Sequence, residues 1–151
     1  MGLTLLDTGA VIGFLDRDDA FHRSAHDAIA AAIGDGGFLA LSVVSQAELL
    51  TGVGLGHHPE GLLTGFLAEL AVRIIPVDER VAARAAEIRS AHTAMGAGGR
   101  RRPTIRMPDA LILATASVTP DVDRLVVTDR GWPQPAAGVE LRVLSAMRDR
   151  S

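Results

Sequence analysis

Hydrophobic and polar positions divide this chain into two kinds of block. Short apolar-rich runs at Leu3–Leu6, Phe38–Leu41, Val72–Val77, Leu125–Thr128 and Val139–Leu144 have the length of strands. Leu125-Val126-Val127 is continuous, as in a strand covered on both faces. Between these runs, apolar residues recur every three or four positions, the helical interval. Such stretches span Gly9–Leu15, Ala20–Ile33, Val43–Leu50, a segment from the polar corner His57–Pro59 to Leu70, Glu79 to about Met95, and Asp109–Ser117. Gly34-Asp35-Gly36-Gly37 and Gly52 stop two of them, Asp78 caps another, and Pro108 opens the last. Gly96–Arg106, rich in glycine and arginine, reads as a mobile loop.

Strands that alternate with helices imply an α/β fold: a mainly parallel five-stranded sheet between two helical layers, a three-layer α/β/α sandwich. At 151 residues the chain suits a single domain, 1–151, with no linker and no internal repeat. The early apolar run lacks a basic start and carries Asp7, so it reads neither as a signal peptide nor as a membrane span; a soluble, cytoplasmic protein without a membrane partner is expected.

Composition then narrows the chemistry. The chain has no cysteine, which removes disulfides, thiolate metal sites and cysteine nucleophiles. All 15 basic residues are arginine, which excludes a lysine-ended phosphate loop, Schiff-base catalysis and a receiver domain. No serine–histidine–aspartate order stands out. Trp132 is the one tryptophan and there is no tyrosine, so a nucleic-acid partner would be held mainly by charge, metal and backbone shape. The net charge of −3 does not itself announce such a partner.

The acidic residues carry the sharpest signal. Ligands of open parallel sheets bind beyond the carboxyl ends of the strands. Asp7 and Asp129 each follow a strand, Glu48 lies a turn into the helix after the second strand, and Asp109 opens the helix before the fourth. Four carboxylates distant in sequence can therefore meet at one rim. Two like charges ~4 Å apart repel by about 4 kcal/mol at an effective dielectric of 20, so the cluster needs a cation or shared protons. Oxygen donors without cysteine select a hard ion, Mg²⁺ or Mn²⁺, whose chemistry suits phosphodiester hydrolysis.

The acids fall in four segments, Leu5-Leu6-Asp7-Thr8-Gly9-Ala10-Val11-Ile12, Ser42 to Gly52, Pro108 to Ala116, and Leu125-Val126-Val127-Thr128-Asp129. These four resemble the signature segments of PIN-domain ribonucleases, and among them the VapC-like toxins of type II toxin–antitoxin systems. The resemblance runs in the family's order across nearly the whole chain. It implies a metal-dependent endoribonuclease acting on structured RNA, with Asp7, Glu48, Asp109 and Asp129 as catalytic acids and Asp7, Asp109 and Asp129 as metal ligands. It also implies a homodimer and a small cognate antitoxin whose C-terminal segment wraps the toxin. Thr8 and Thr128 match hydroxyl positions beside the acids. Arg100, Arg101, Arg102 and Arg106 read as a basic arm that brings phosphates to the metal, or else as a solvated loop.

The chain departs from the family pattern twice. The stretch before the third acid is longer, and Arg130-Gly131-Trp132 stands where the family has an acidic or amide residue before an aromatic one. Asp121 and Asp123 are alternatives for the fourth acid, at the opposite end of the strand. Ordinary readings stand beside the functional ones. Ser45-Gln46-Ala47-Glu48 fits a helix-capping box, Asp109 favours a helix N-terminus, and Asp129 suits a turn. His22 and His26 have zinc-ligand spacing but lack further ligands, and Gly52, Gly54 and Gly56 follow a helix where a dinucleotide loop follows a strand. Competing functions are a non-catalytic PIN-like module that binds RNA or protein, and a metal-dependent phosphatase.

Overall fold

Residues 2–147 are described by the structure, a computed structural model. Strand β1 (Leu3–Leu6) leads through helices α1 (Thr8–Leu15) and α2 (His22–Gly34) to β2 (Phe38–Ser42). Helices α3 (Val43–Gly54) and α4 (Glu60–Glu69) lead to β3 (Arg73–Ile75), and α5 (Glu79–Ala91) follows. A hairpin of β4 (Thr93–Met95) and β5 (Arg101–Pro103) precedes α6 (Met107–Val118), β6 (Val122–Val127) and β7 (Glu140–Val143). The central sheet has the order β3-β2-β1-β6-β7, and every pair in it is parallel. The chain winds outward in one direction from β1 to β3, then crosses to the other side of β1 for β6 and β7. The winding therefore reverses between β1 and β6.

Side chains of the inner strands alternate between two cores, as the pleat demands. Leu3, Leu5, Ala40, Leu125 and Val127 face α5 and α6, packing on Val81, Ala85, Ile88, Ile112 and Leu113. Leu6, Leu39, Leu41 and Val126 face the other layer, where Val11, Ile29, Leu49, Leu63 and Phe66 meet them. The result is the expected three-layer α/β/α arrangement with a five-stranded sheet. Both faces are covered, which explains why these strands read as continuous apolar runs.

Two sequence expectations are corrected. The helix begun by Asp78 ends at Ala91, four residues before Met95, because Thr93–Met95 pairs antiparallel with Arg101–Pro103. Gly96–Arg106 is thus not an irregular loop: its first half is the turn of a two-stranded ribbon, with Gly98 and Gly99 at positive φ. The ribbon's base is tied to α5, since Thr104 donates from both its N–H and its hydroxyl to the His92 carbonyl. Among the described residues no helix is long and apolar enough to cross a membrane. The end of the polar tail expected after the last strand lies outside the described residues.

Candidate active site

The carboxyl ends of β1 and β6 lie side by side where the winding reverses, the place at which open parallel sheets hold their ligands. Asp7 follows β1 directly and is only 5% exposed. Its Oδ1 accepts from the Ala10 N–H at 2.7 Å, capping α1, and its Oδ2 accepts from the Thr128 N–H at 3.2 Å, bridging to the end of β6. Burial pushes its carboxyl up to about 6 in spite of these two bonds, with the charges of Asp129 and Asp109 adding to the rise. Asp7 thus has a structural duty, as a helix cap, that the sequence pattern did not reveal.

Asp109 lies in the first turn of α6 and is half-buried. The dipole of α6 favours a carboxylate there, but burial raises its pKa, as do the charges of Glu48 and Asp129, while the Arg106 guanidinium opposes them. Glu48 stands exposed in the middle of α3, where its Oε1 accepts from the Thr8 hydroxyl at 2.7 Å. Asp129 is exposed, two residues beyond the last residue of β6. The four acids therefore share one rim: Asp7 feels Asp129 and Asp109, and Asp109 feels Glu48 and Asp129. Asp121 and Asp123 lie at the opposite end of β6 and take no part.

The capping reading of Glu48 fails on geometry. Ser42 caps α3, its Oγ accepting from the Val44 N–H at 3.1 Å. Ser45 is already a turn inside the helix and fully buried, so Glu48 has no cap to complete. The histidine pair also has an ordinary explanation: His22 Nδ1 lies 2.8 Å from the Gly13 carbonyl, and His26 stacks on Phe14 with ring centroids 5.8 Å apart. Gly52 is packed against the His58 ring, which a Cβ there would meet, so close packing accounts for this glycine.

The donor set suits a hard divalent ion: carboxylate oxygens, with Asp7 and Asp109 destabilised as anions by burial and by neighbouring carboxylates. Both Asp7 oxygens accept a single hydrogen bond each, leaving lone pairs for a cation. Among the described residues, no three acidic or histidine side chains already stand close enough to clasp one ion together. An ion would draw Glu48 and Asp129, both exposed, toward Asp7 and Asp109.

Thr8 and Thr128 lie beside the acids, Thr8 orienting Glu48 through its hydroxyl and Thr128 holding Asp7 through its backbone. Gly9, whose role the sequence did not disclose, is what allows α1 to approach β6, because a Cβ added to it would collide with the Thr128 hydroxyl. Of the four arginines in the expected basic arm, Arg106 lines a cavity with Asp109 and Asp129. Arg100, Arg101 and Arg102 are exposed on the ribbon and do not line it. Arg130 and Trp132 do, although the sequence marked them only as a departure from a pattern. On the other side of Glu48, an apolar groove of about 580 Å³ runs between α1, α3 and α4, with Ile12, Leu15, Leu55 and Leu62 in its walls.

Comparison with known proteins agrees with this fold. The fold is similar to VapBC2 from Rickettsia felis, solved bound to a DNA fragment from its promoter, with a TM-score of 0.66, 18% identity, and 95% of this chain and 99% of that chain covered. It is also similar to FitAcB from Neisseria gonorrhoeae, with a TM-score of 0.58, 27% identity, and coverage of 92% and 96%. A toxin–antitoxin complex from Klebsiella pneumoniae matches with a TM-score of 0.57 and 23% identity over 83% and 86%. Among curated proteins none is similar enough in sequence to match. The PIN domain family matches residues 4–133, nearly the whole span from β1 through Trp132. With the four acidic segments inside that span, this chain belongs to the PIN domain family.

Proposed function

We propose that this protein is a Mg²⁺- or Mn²⁺-dependent endoribonuclease and the toxin of a toxin–antitoxin pair. The observation that carries the reading is the meeting of Asp7, Asp109, Glu48 and Asp129 at the reversal point between β1 and β6, with Asp7 buried and raised to about 6. Asp7, Asp109 and Asp129 would hold the ion and Glu48 would complete the shell. When bound, such an ion lowers the pKa of a water and neutralises charge on the phosphoryl group. The protein's own part is positional. Asp7 is immobilised by two backbone donors, Glu48 is aimed by Thr8, and Arg106 supplies a cation beside Asp109 for a backbone phosphate.

The test is cleavage of RNA by the purified protein. Activity should require Mg²⁺ or Mn²⁺, stop with chelator, and fall by at least ~100-fold in Asp7→Asn, since the ligand that anchors the cluster is lost. Cleavage that survives this substitution rejects the assignment. The exposed positions of Glu48 and Asp129 favour one competing reading, an RNA-binding module without catalysis. RNA binding with no response to metal titration would decide for it.

A cognate antitoxin is part of the proposal. Its support is the likeness to a structure solved as a toxin–antitoxin complex, together with the groove beside Glu48, where Leu55 and Leu62 are 66% and 44% exposed. A helix of the antitoxin would bury these leucines while its C-terminal segment reached the acids. Co-expression with the neighbouring small open reading frame should yield a stable complex, and Leu55→Asp with Leu62→Asp should break it. Homodimer formation is proposed from the family resemblance, and light scattering of the purified chain tests it.

A further inference from the structure

The cavity shared by Arg106, Asp109, Asp129, Arg130 and Trp132 has a volume of about 340 Å³, within the range of small-ligand sites (~300–1,000 Å³). Two of its walls are acids of the proposed centre, so whatever fills it lies next to the reacting phosphate. The remaining walls have a different chemistry. Arg106 and Arg130 make no ion pair among the described residues, and each offers a guanidinium fork suited to phosphate oxygens. Trp132 is the chain's sole tryptophan; it is partly buried against the core beneath α5 and α6 and is also among the residues that line the cavity.

This wall is held in place from behind. Gly131 at φ 93° makes the turn between Arg130 and Trp132, a conformation that costs glycine little. Farther on, the Pro135 carbonyl accepts from the Ser117 hydroxyl at 2.8 Å, and Ser117 in turn accepts from Arg84 Nε at 3.2 Å, which ties the segment to α6 and α5. An indole beside two guanidiniums that make no ion pair among the described residues fits a base and its phosphate better than it fits an apolar ligand or a bare anion.

We infer that this cavity binds one unpaired nucleotide of the RNA next to the scissile phosphate, its base against Trp132 and its phosphate on Arg130 and Arg106. The inference rests on the ribonuclease reading for the identity of the polymer, and it makes Trp132, Arg130 and Arg106 substrate-positioning residues. A base held in a helical stack cannot enter such a recess, so the pocket selects loops and unpaired ends.

Trp132 supplies its own reporter, because no other tryptophan or tyrosine emits. In the Asp7→Asn protein, which spares the RNA, titration with a short single-stranded RNA and with each nucleoside 5′-monophosphate should change Trp132 fluorescence saturably. Ribose 5-phosphate, with no base, should leave it unchanged. Trp132→Leu should weaken RNA binding roughly 5- to 150-fold. Trp132→Phe, which keeps a stacking face, should restore most of the affinity, and Arg130→Ala should raise KM for cleavage more than it lowers kcat.

The outcomes separate the two readings. Unchanged emission at RNA concentrations that saturate binding, with Trp132→Leu cutting RNA as the wild type does, overturns the pocket and leaves the nuclease standing. Quenching by nucleotides that depends on Arg130, together with a wild type that cuts no RNA with Mg²⁺ or Mn²⁺, keeps the pocket and overturns the nuclease. Should Trp132→Leu fail to fold, Trp132→Phe and the exposed Arg130→Ala carry the test.

Discussion

Asp7 serves two ends that conflict. As the cap of α1 and the bridge to Thr128 it stabilises the join of β1 and β6, yet as a buried anion it opposes folding. Its carboxyl titrates near 3.8 when unfolded and at about 6 in the fold. Below pH ~4 it is neutral in both states and costs nothing. Between those values the folded chain holds the extra proton, so stability falls as pH rises, and above about 6 the whole cost is present, ~3 kcal/mol. Asp7→Asn removes the charge but leaves one amide oxygen to serve two backbone donors, which returns ~1 kcal/mol of the gain. We therefore expect the variant, in chelator at pH 7.5, to be about 2 kcal/mol more stable than the wild type, with the advantage gone by pH 4. Urea unfolding at the two pH values checks this, and a variant less stable at both would contradict the buried-anion account.

Gly9 poses the complementary case, a residue defined by what it lacks. A side chain there must push α1 off the end of β6, moving Thr8 with Glu48 and loosening the Thr128 bond to Asp7. Gly9→Val should cost about 1–3 kcal/mol by overpacking and reduce cleavage more than it reduces RNA binding. Thermal melts beside kinetics separate the two effects.

Among the elements, the β4–β5 ribbon is where pattern and structure part. Thr93-Ala94-Met95 continues the helical interval of α5, and only pairing with Arg101–Pro103 makes it a strand. A ribbon projects its arginines more firmly than a loose loop does, and Arg100, Arg101 and Arg102 are all exposed on it. Replacing the three with alanine should weaken RNA binding and lower its salt dependence by about 2–3 in log–log slope, if each meets one phosphate. Cleavage at saturating RNA should persist. A binding isotherm across salt concentrations with an unchanged slope would place the RNA elsewhere.

Helix α3 shows the same lesson on a smaller scale. Its capping-box pattern is present in sequence, but the helix starts three residues earlier because Ser42 ends β2 and caps at once. Glu48 is left free, and Thr8 of a different helix takes it. Local patterns compete with one another, and the strand boundary decides which of them is used.

For the whole molecule, the acids form an open site in which buried Asp7 and half-buried Asp109 repel. Mg²⁺ or Mn²⁺ that binds only the folded chain should stabilise it by about 2.7 kcal/mol at a hundredfold excess over Kd. Differential scanning calorimetry should show the melting temperature rising with metal in the wild type and rising much less in Asp7→Asn. An identical rise in both would separate the metal from the acid cluster.

The alternation of apolar runs and amphipathic stretches, the absence of cysteine and lysine, and the placement of acids after strands are properties of the chain read in order. They determined the layered fold, because burial on two faces leaves a periodicity that local sequence must carry, and they singled out four acids that the fold sets at one rim. What lay beyond reach depends on distance across the sheet. The bridge from Asp7 to Thr128, the grip of Thr8 on Glu48, the need for Gly9, and the cavity that joins Arg106 and Asp109 to Arg130 and Trp132 all join residues from separate elements. Only the order β3-β2-β1-β6-β7, which sets β6 beside β1, decided those contacts, since the energy of each arises between surfaces that meet after the chain has folded.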